Sequence, residues 1–173
     1  MKNTLIIIIF LFIANCLSAQ VNFGLNTAFE LPANNYEEAD NGVGVSLLLG
    51  YSFKQKFDLN IIAGNSWMNS FIDNYQINSY ELSANYYFID KAIRPHIGLS
   101  GGYYIKSFDD AFNSEKYFEN GPGIKPLIGC LFDLNKMKGL KINTQFYYSK
   151  VFTEHQIGIF GLNIGLLYHF ERS

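Results

Sequence analysis

Charge is scarce in this sequence. Of its 173 residues only 16% are Asp, Glu, Lys or Arg, against about 25% in an ordinary soluble domain. With a net charge of −2 nothing suggests a nucleic acid or another polyanion as a partner, and none is expected. Long hydrophobic runs are missing as well. Although 49% of the residues are apolar, nothing past the first twenty approaches the roughly 18 apolar residues of a spanning helix. Cysteine is limited to Cys16 and Cys130. If Cys16 leaves with a leader, no internal disulfide can form in an exported chain, and Cys130 reads as a small apolar strand residue. The length suits one domain.

The leader is the first positive feature. Residues 1–20, MKNTLIIIIFLFIANCLSAQ, place Lys2 before an apolar core from Leu5 to Ile13 and end on small residues at Ser18 and Ala19. This is the build of a secretory signal peptide, too short in its apolar part to span. Cleavage is expected after Ala19, giving a signal peptide over 1–19 and a mature domain over 20–173. Cleavage before Cys16 with acylation is the alternative, but Asn15 stands where that signal needs a small residue.

The mature chain alternates with period two in eight segments. In residues 160–170, FGLNIGLLYHF, one face carries Phe160, Leu162, Ile164, Leu166, Tyr168 and Phe170, and the other is mostly Gly161, Asn163, Gly165 and His169. The same division runs through Val21–Leu31, Val43–Phe53, Phe57–Trp67, Tyr80–Phe88, Pro95–Ile105, Ile124–Leu134 and Leu140–Tyr148. No Asp, Glu, Lys, Arg or His falls on the apolar face. The opposite face is rich in glycine, serine and asparagine, such as Asn22, Gly24, Ser46, Gly64, Ser83 and Gly98. A soluble binding barrel turns its large apolar residues inward and exposes charge. Here the small face suits the crowded inside of a narrow barrel and the apolar face suits lipid. Only helices and closed barrels satisfy their backbone groups in a bilayer, so the expected fold is all-β: an eight-stranded antiparallel up-and-down transmembrane β-barrel.

Connectors are expected to alternate between short turns at 54–56, 90–94 and 135–139 and longer loops at 33–41, 69–76, 107–122 and 150–157. Both termini then share the short-turn, periplasmic side. The loops are mainly acidic and the turns basic, with Arg94 counted among the turn cations. Glu37, Glu38 and Asp40 read as solvated loop acids, and no metal site is expected.

With this pattern in hand, the chain resembles the small eight-stranded outer-membrane barrels of the OmpA transmembrane-domain, OmpX and OmpW kind, and the generic outer membrane protein β-barrel domain family. The likeness covers the whole mature chain as a pattern. Its most specific part is Asn163, Gly165, Tyr168 and Phe170, which looks like the last-strand signal read by the outer-membrane assembly machinery; here Glu171, Arg172 and Ser173 follow it. The resemblance implies residence in the cell outer membrane, with lipid and the assembly machinery as partners. It does not extend to a peptidoglycan-binding domain, so cell-wall tethering is not implied.

No nucleotide, zinc or phosphate-loop motif is present, so no cofactor is expected. A lipid-modifying enzyme on such a barrel needs a nucleophile, a histidine and an acid within mutual reach. His96 and His169 read as interior histidines near the periplasmic end, and the spacing of Ser149, Glu154 and His155 defines no triad, so the expectation is not an enzyme. The reading is a structural or surface-interaction barrel with a largely filled interior. The alternative is passage of small or apolar solutes, as the OmpW likeness implies. The third long loop, with Phe112, Tyr117 and Phe118, is the candidate exposed surface for an extracellular ligand of unspecified chemistry. Glu30, Glu81, Lys106 and Lys125 should face inward near the extracellular end and form a charge network closing the bore.

Overall fold

The computed structural model describes residues 20–33, 39–54, 56–70, 75–109, 116–134 and 137–170. The leader over 1–19, Phe112, and Glu171 to Ser173 lie outside the described residues. The strands are β1 (Gln20–Pro32), β2 (Ala39–Phe53), β3 (Phe57–Ser70), β4 (Tyr75–Tyr87), β5 (Ile93–Asp109), β6 (Lys116–Asp133), β7 (Leu140–Val151) and β8 (Ile157–His169). Each pairs with the next, antiparallel, and β8 returns to β1 to close the barrel. The closing seam runs from Asn22↔His169 to Pro32↔Ile159, and the Phe170 amide donates to the Val21 carbonyl at 2.9 Å. A closed ladder leaves no edge in the wall.

Period two decides which side chains go where. Leu25, Leu47, Ile61, Leu82, Leu99, Ile128, Phe146 and Ile164, one from each strand in turn, are all exposed on the outer wall. Their strand neighbours of opposite parity point into the bore. So continuous an apolar wall exceeds anything a soluble monomer presents, and it is stable only against hydrocarbon. Aromatic residues ring both ends of it: Phe29, Trp67 and Tyr103 at one end, Tyr51, Tyr86 and Tyr168 at the end that carries the termini. Tyr168 and Phe170 meet edge to face, with centroids 4.9 Å apart. This is the arrangement of interfacial girdles.

Glycine makes the inner wall narrow enough to pack. At Gly165 an added Cβ would lie 1.9 Å from Asn26 Oδ1, and at Gly161 it would lie 2.1 Å from the Tyr147 ring. Side chains from the neighbouring strands occupy those spaces.

Three expectations need correction. The inner face is not uniformly small and polar, because it carries two apolar layers. One, toward the distal end, contains Met68, Tyr75, Ile77, Tyr104, Val151, Ile157 and Ile159. The other, toward the terminal end, contains Leu48, Ile62, Tyr87, Leu131 and Leu167. A sealed bore must be filled, and these residues fill it where no ion pair does. Second, Arg94 is not a turn residue. It lies on β5, 8% exposed, with its guanidinium turned into the bore.

Third, most of the loop expected over 107–122 is strand. The β5–β6 ladder runs from Ile93↔Phe132 to Asp109↔Lys116, whereas the β6–β7 ladder stops at Gly123↔Val151. The two strands therefore project past β7 as a ribbon. Alternation fails as a signal here because both faces of a projecting ribbon meet water. The β6–β7 ladder also skips Lys125 and Pro126, since a proline has no N–H to donate.

Candidate functional site

Two parts of the molecule concentrate polar chemistry: the inside of the barrel and the distal rim. Inside, Glu81 on β4 receives both hydrogen-bond and ionic contacts from Lys125 on β6, with Nζ at 2.7 Å from Oε1 and 2.6 Å from Oε2. Ser100 on β5 donates to the same carboxylate at 2.7 Å. Glu30 on β1 accepts from the Tyr147 hydroxyl of β7, and Lys125 Nζ lies 5.0 Å from the centroid of that tyrosine ring. The alternation of three strands thus delivers Glu30, Glu81 and Lys125 to one level. They line a cavity of about 50 Å³, shared with Ser46, Ser66, Ser79, Tyr104, Ser149 and Asn163. Ile62 from the terminal apolar layer and Ile77 and Ile159 from the distal one border the same cavity, so it sits between the layers.

Lys106 does not join this set. It lies further along β5, 2% exposed, with Nζ 3.7 Å from Glu119 Oε2 and 5.3 Å from the Tyr75 ring centroid. Glu119 belongs to the projecting part of β6 rather than to a solvated loop. It also contacts His155, whose Nδ1 lies 2.5 Å from Oε1 and whose backbone amide donates to Oε2 at 3.3 Å. Thr153 donates to the His155 carbonyl at 2.7 Å. The segment between β7 and β8 is thereby tied to the base of the ribbon. The sequence pairs His155 with Glu154 by adjacency, whereas the fold supplies an acid from a distant strand.

A second charged layer closes the terminal end. Asp58 on β3 is 2% exposed and accepts from Ser52 Oγ at 2.5 Å and from the Tyr87 hydroxyl at 2.7 Å. Asp133 on β6 meets Arg94 Nη2 at 2.9 Å and Lys141 Nζ at 3.4 Å. His96 is fully buried, in contact with Gln145 at 3.2 Å and packed on the Tyr87 ring at 5.0 Å between centroids. His169 is buried at the same end. Arg94, read from the sequence as a turn cation, is a member of this layer, and its place one residue after the apolar Ile93 was the available signal.

On β8, Asn163 lines the cavity and donates to Gln145 Oε1 at 3.3 Å. Gly165 faces Asn26, while Tyr168 and Phe170 stand on the outer wall. At the rim, Tyr117 and Phe118 are 41% and 66% exposed on the ribbon. Among the described residues, no strand pairs with the β7 side of β6 from Lys116 to Pro122, although the Phe152 amide donates to the Pro122 carbonyl at 2.8 Å. On the outer wall, Ala84 and Gly101 leave a shallow apolar depression bordered by Leu59, Leu82, Leu99 and Ile124.

No family model matches the sequence, and no curated protein matches it either. Solved structures do share its fold. Neisserial surface protein A aligns with a TM-score of 0.68 at 14% identity, covering 88% of this chain and 97% of its own. The outer membrane protein OprG from Pseudomonas aeruginosa aligns with a TM-score of 0.60 at 14% identity, over 90% of this chain and 97% of its own. Ail, the attachment invasion locus protein of Yersinia pestis, gives a TM-score of 0.57 at 16% identity, over 88% and 97%. At such identities the likeness establishes the fold alone, and by it this chain is a closed, all-antiparallel barrel built like the small eight-stranded barrels of the outer membrane.

Proposed function

We propose that this protein is an outer-membrane barrel that acts by surface interaction, through the distal rim, with a closed interior and no enzymatic activity. The apolar outer wall supports residence in lipid, and the fold neighbours are outer-membrane proteins. The signal-peptide pattern over residues 1–19 supports export. The observation that carries the interaction reading is the β5–β6 ribbon, which extends beyond the β7 ladder, with no described strand paired to that side of β6 and with Phe118 exposed. A strand side without a neighbour offers backbone hydrogen bonds to an extended segment, and exposed aromatic residues offer the apolar anchor. In the sequence, Asp109, Asp110 and Glu115 accompany this segment, which favours a partner with basic side chains. The two apolar layers and the two ion-paired layers support a bore closed to solute flow.

Two measurements test this reading. The protein reconstituted in planar bilayers should show no steady pore. Phage-displayed peptides selected on the protein in lipid nanodiscs should be extended, basic and aromatic, and should be lost on a variant whose residues 107–119 are replaced by a tight turn while its heat-modifiable gel migration is kept. A large steady conductance, or peptides that bind the shortened variant equally well, would overturn it.

A further inference from the structure

We infer that the cavity between the two apolar layers is a binding site for a small monovalent metal cation, with Glu30 as its charged ligand. The inference does not depend on what the rim binds.

Charge accounting comes first. Two carboxylates, Glu30 and Glu81, and one ammonium, Lys125, line the cavity. Both oxygens of Glu81 are engaged by Lys125, so the ammonium is committed. Glu30, only 6% exposed, receives one neutral hydroxyl, from Tyr147. The site therefore carries one surplus negative charge inside the bore, with Glu30 only 6% exposed, where an uncompensated carboxylate is strongly disfavoured.

The second observation is convergence. Two buried oxygens that line this cavity have no hydrogen-bond partner, Glu30 Oε2 and Asn163 Oδ1, and the hydroxyls of Tyr104 and Ser149, in contact with each other, line it beside them. The Asn163 amide nitrogen is already spent on Gln145, which leaves its oxygen as the free end. Buried polar atoms left over in one place call for a common partner. An all-oxygen set that includes a carboxylate suits a hard cation rather than a soft one. The surplus of a single charge matches a monovalent ion. The space of about 50 Å³ holds such an ion with one or two waters, since a water needs roughly 10–15 Å³ on this measure.

A ligand bound by the folded barrel and not by the unfolded chain raises stability by mass action. The test is to refold the protein into detergent micelles in sodium chloride, potassium chloride or N-methyl-D-glucamine chloride at equal ionic strength, and to record the midpoint of heat-modifiable gel migration. The midpoint should be higher in sodium or potassium than in the bulky organic cation, by on the order of 5 °C. Glu30→Gln should bring the three salts together, and Ser149→Ala should shrink the difference without altering charge. Sodium-23 relaxation on the unmodified protein reads the site even if Glu30→Gln fails to refold. Equal midpoints in all three salts with no sodium-23 effect would overturn the inference and leave a protonated or merely hydrated Glu30. A salt dependence that survives Glu30→Gln would place the ion elsewhere and overturn it equally.

Discussion

The two charged layers inside the barrel are built on different principles. Toward the terminal end, Asp58 and Asp133 are matched by Arg94 and Lys141, and Asp133 keeps contact with solvent at 26% side-chain exposure. Asp58 is held by two hydroxyls, with Lys141 and Arg94 supplying opposite charge nearby. Toward the distal end, Glu81 and Lys125 form a short-range pair with side-chain exposures of 2% and 16%, and Glu30 stands beside them with only a hydroxyl. One layer is balanced and partly wetted, which makes it a lock. The other is unbalanced, with both of its carboxylates buried, which makes it sensitive to every charge placed in it. The difference teaches that similar residue types at similar depths carry different energetic weight, depending on water access and on the sum of charge.

Breaking the distal pair should have the largest effect. Lys125→Met leaves Glu30 and Glu81 as two buried carboxylates, and loss of about 3–5 kcal/mol is expected. Urea unfolding in lipid vesicles, followed by fluorescence of the single tryptophan, Trp67, measures it. The outer wall next to that layer comes second. Ile164→Lys places a charge against hydrocarbon and should cost about 2–4 kcal/mol. Its neighbour Asn163→Lys puts the same charge into the acid-rich cavity, so its cost should be distinctly smaller in the same unfolding assay. Equal costs would contradict the inward and outward assignment of β8.

The terminal layer should respond more weakly. Arg94→Met leaves Asp133 with Lys141 and with solvent, and after discounting for that exposure a loss of about 1–2 kcal/mol is expected. A loss as large as that of Lys125→Met would erase the distinction between the layers. The smallest effect on stability belongs to the ribbon: Phe118→Ser should change unfolding by less than about 0.5 kcal/mol yet abolish selection of aromatic extended peptides.

How far the sequence was readable differs between the walls. The outer wall was legible in full, because lipid imposes one requirement on every outward position and period two displays it along each strand. The signature of β8 is the clearest instance, with Phe160 to Phe170 on the outer wall as the alternation requires. The inner wall was legible only in its small residues. Leu48, Ile62, Leu131 and Leu167 share the parity of the glycines and serines, and nothing local marks them as members of one layer. Glu119 and His155 were out of reach for a related reason: one lies on β6 and the other on the connection between β7 and β8, and they meet only because the ribbon brings β6 above the end of β7.

What the sequence by itself determined is the class of solvent on each face of the strands, and with it the strand count and the closed sheet, since an alternating chain in hydrocarbon has no other way to pair its backbone. What only the tertiary structure decided is which inward residues share a level. That depends on how far each strand is shifted against its neighbours around the barrel, a property of the closed ladder as a whole. The shift brings Lys125 to Glu81, leaves Glu30 beside them with a hydroxyl, and sends Lys106 to Glu119. Ion pairing acts over a few ångströms, so registers that look alike along each strand yield a close pair in one layer and a surplus charge beside it.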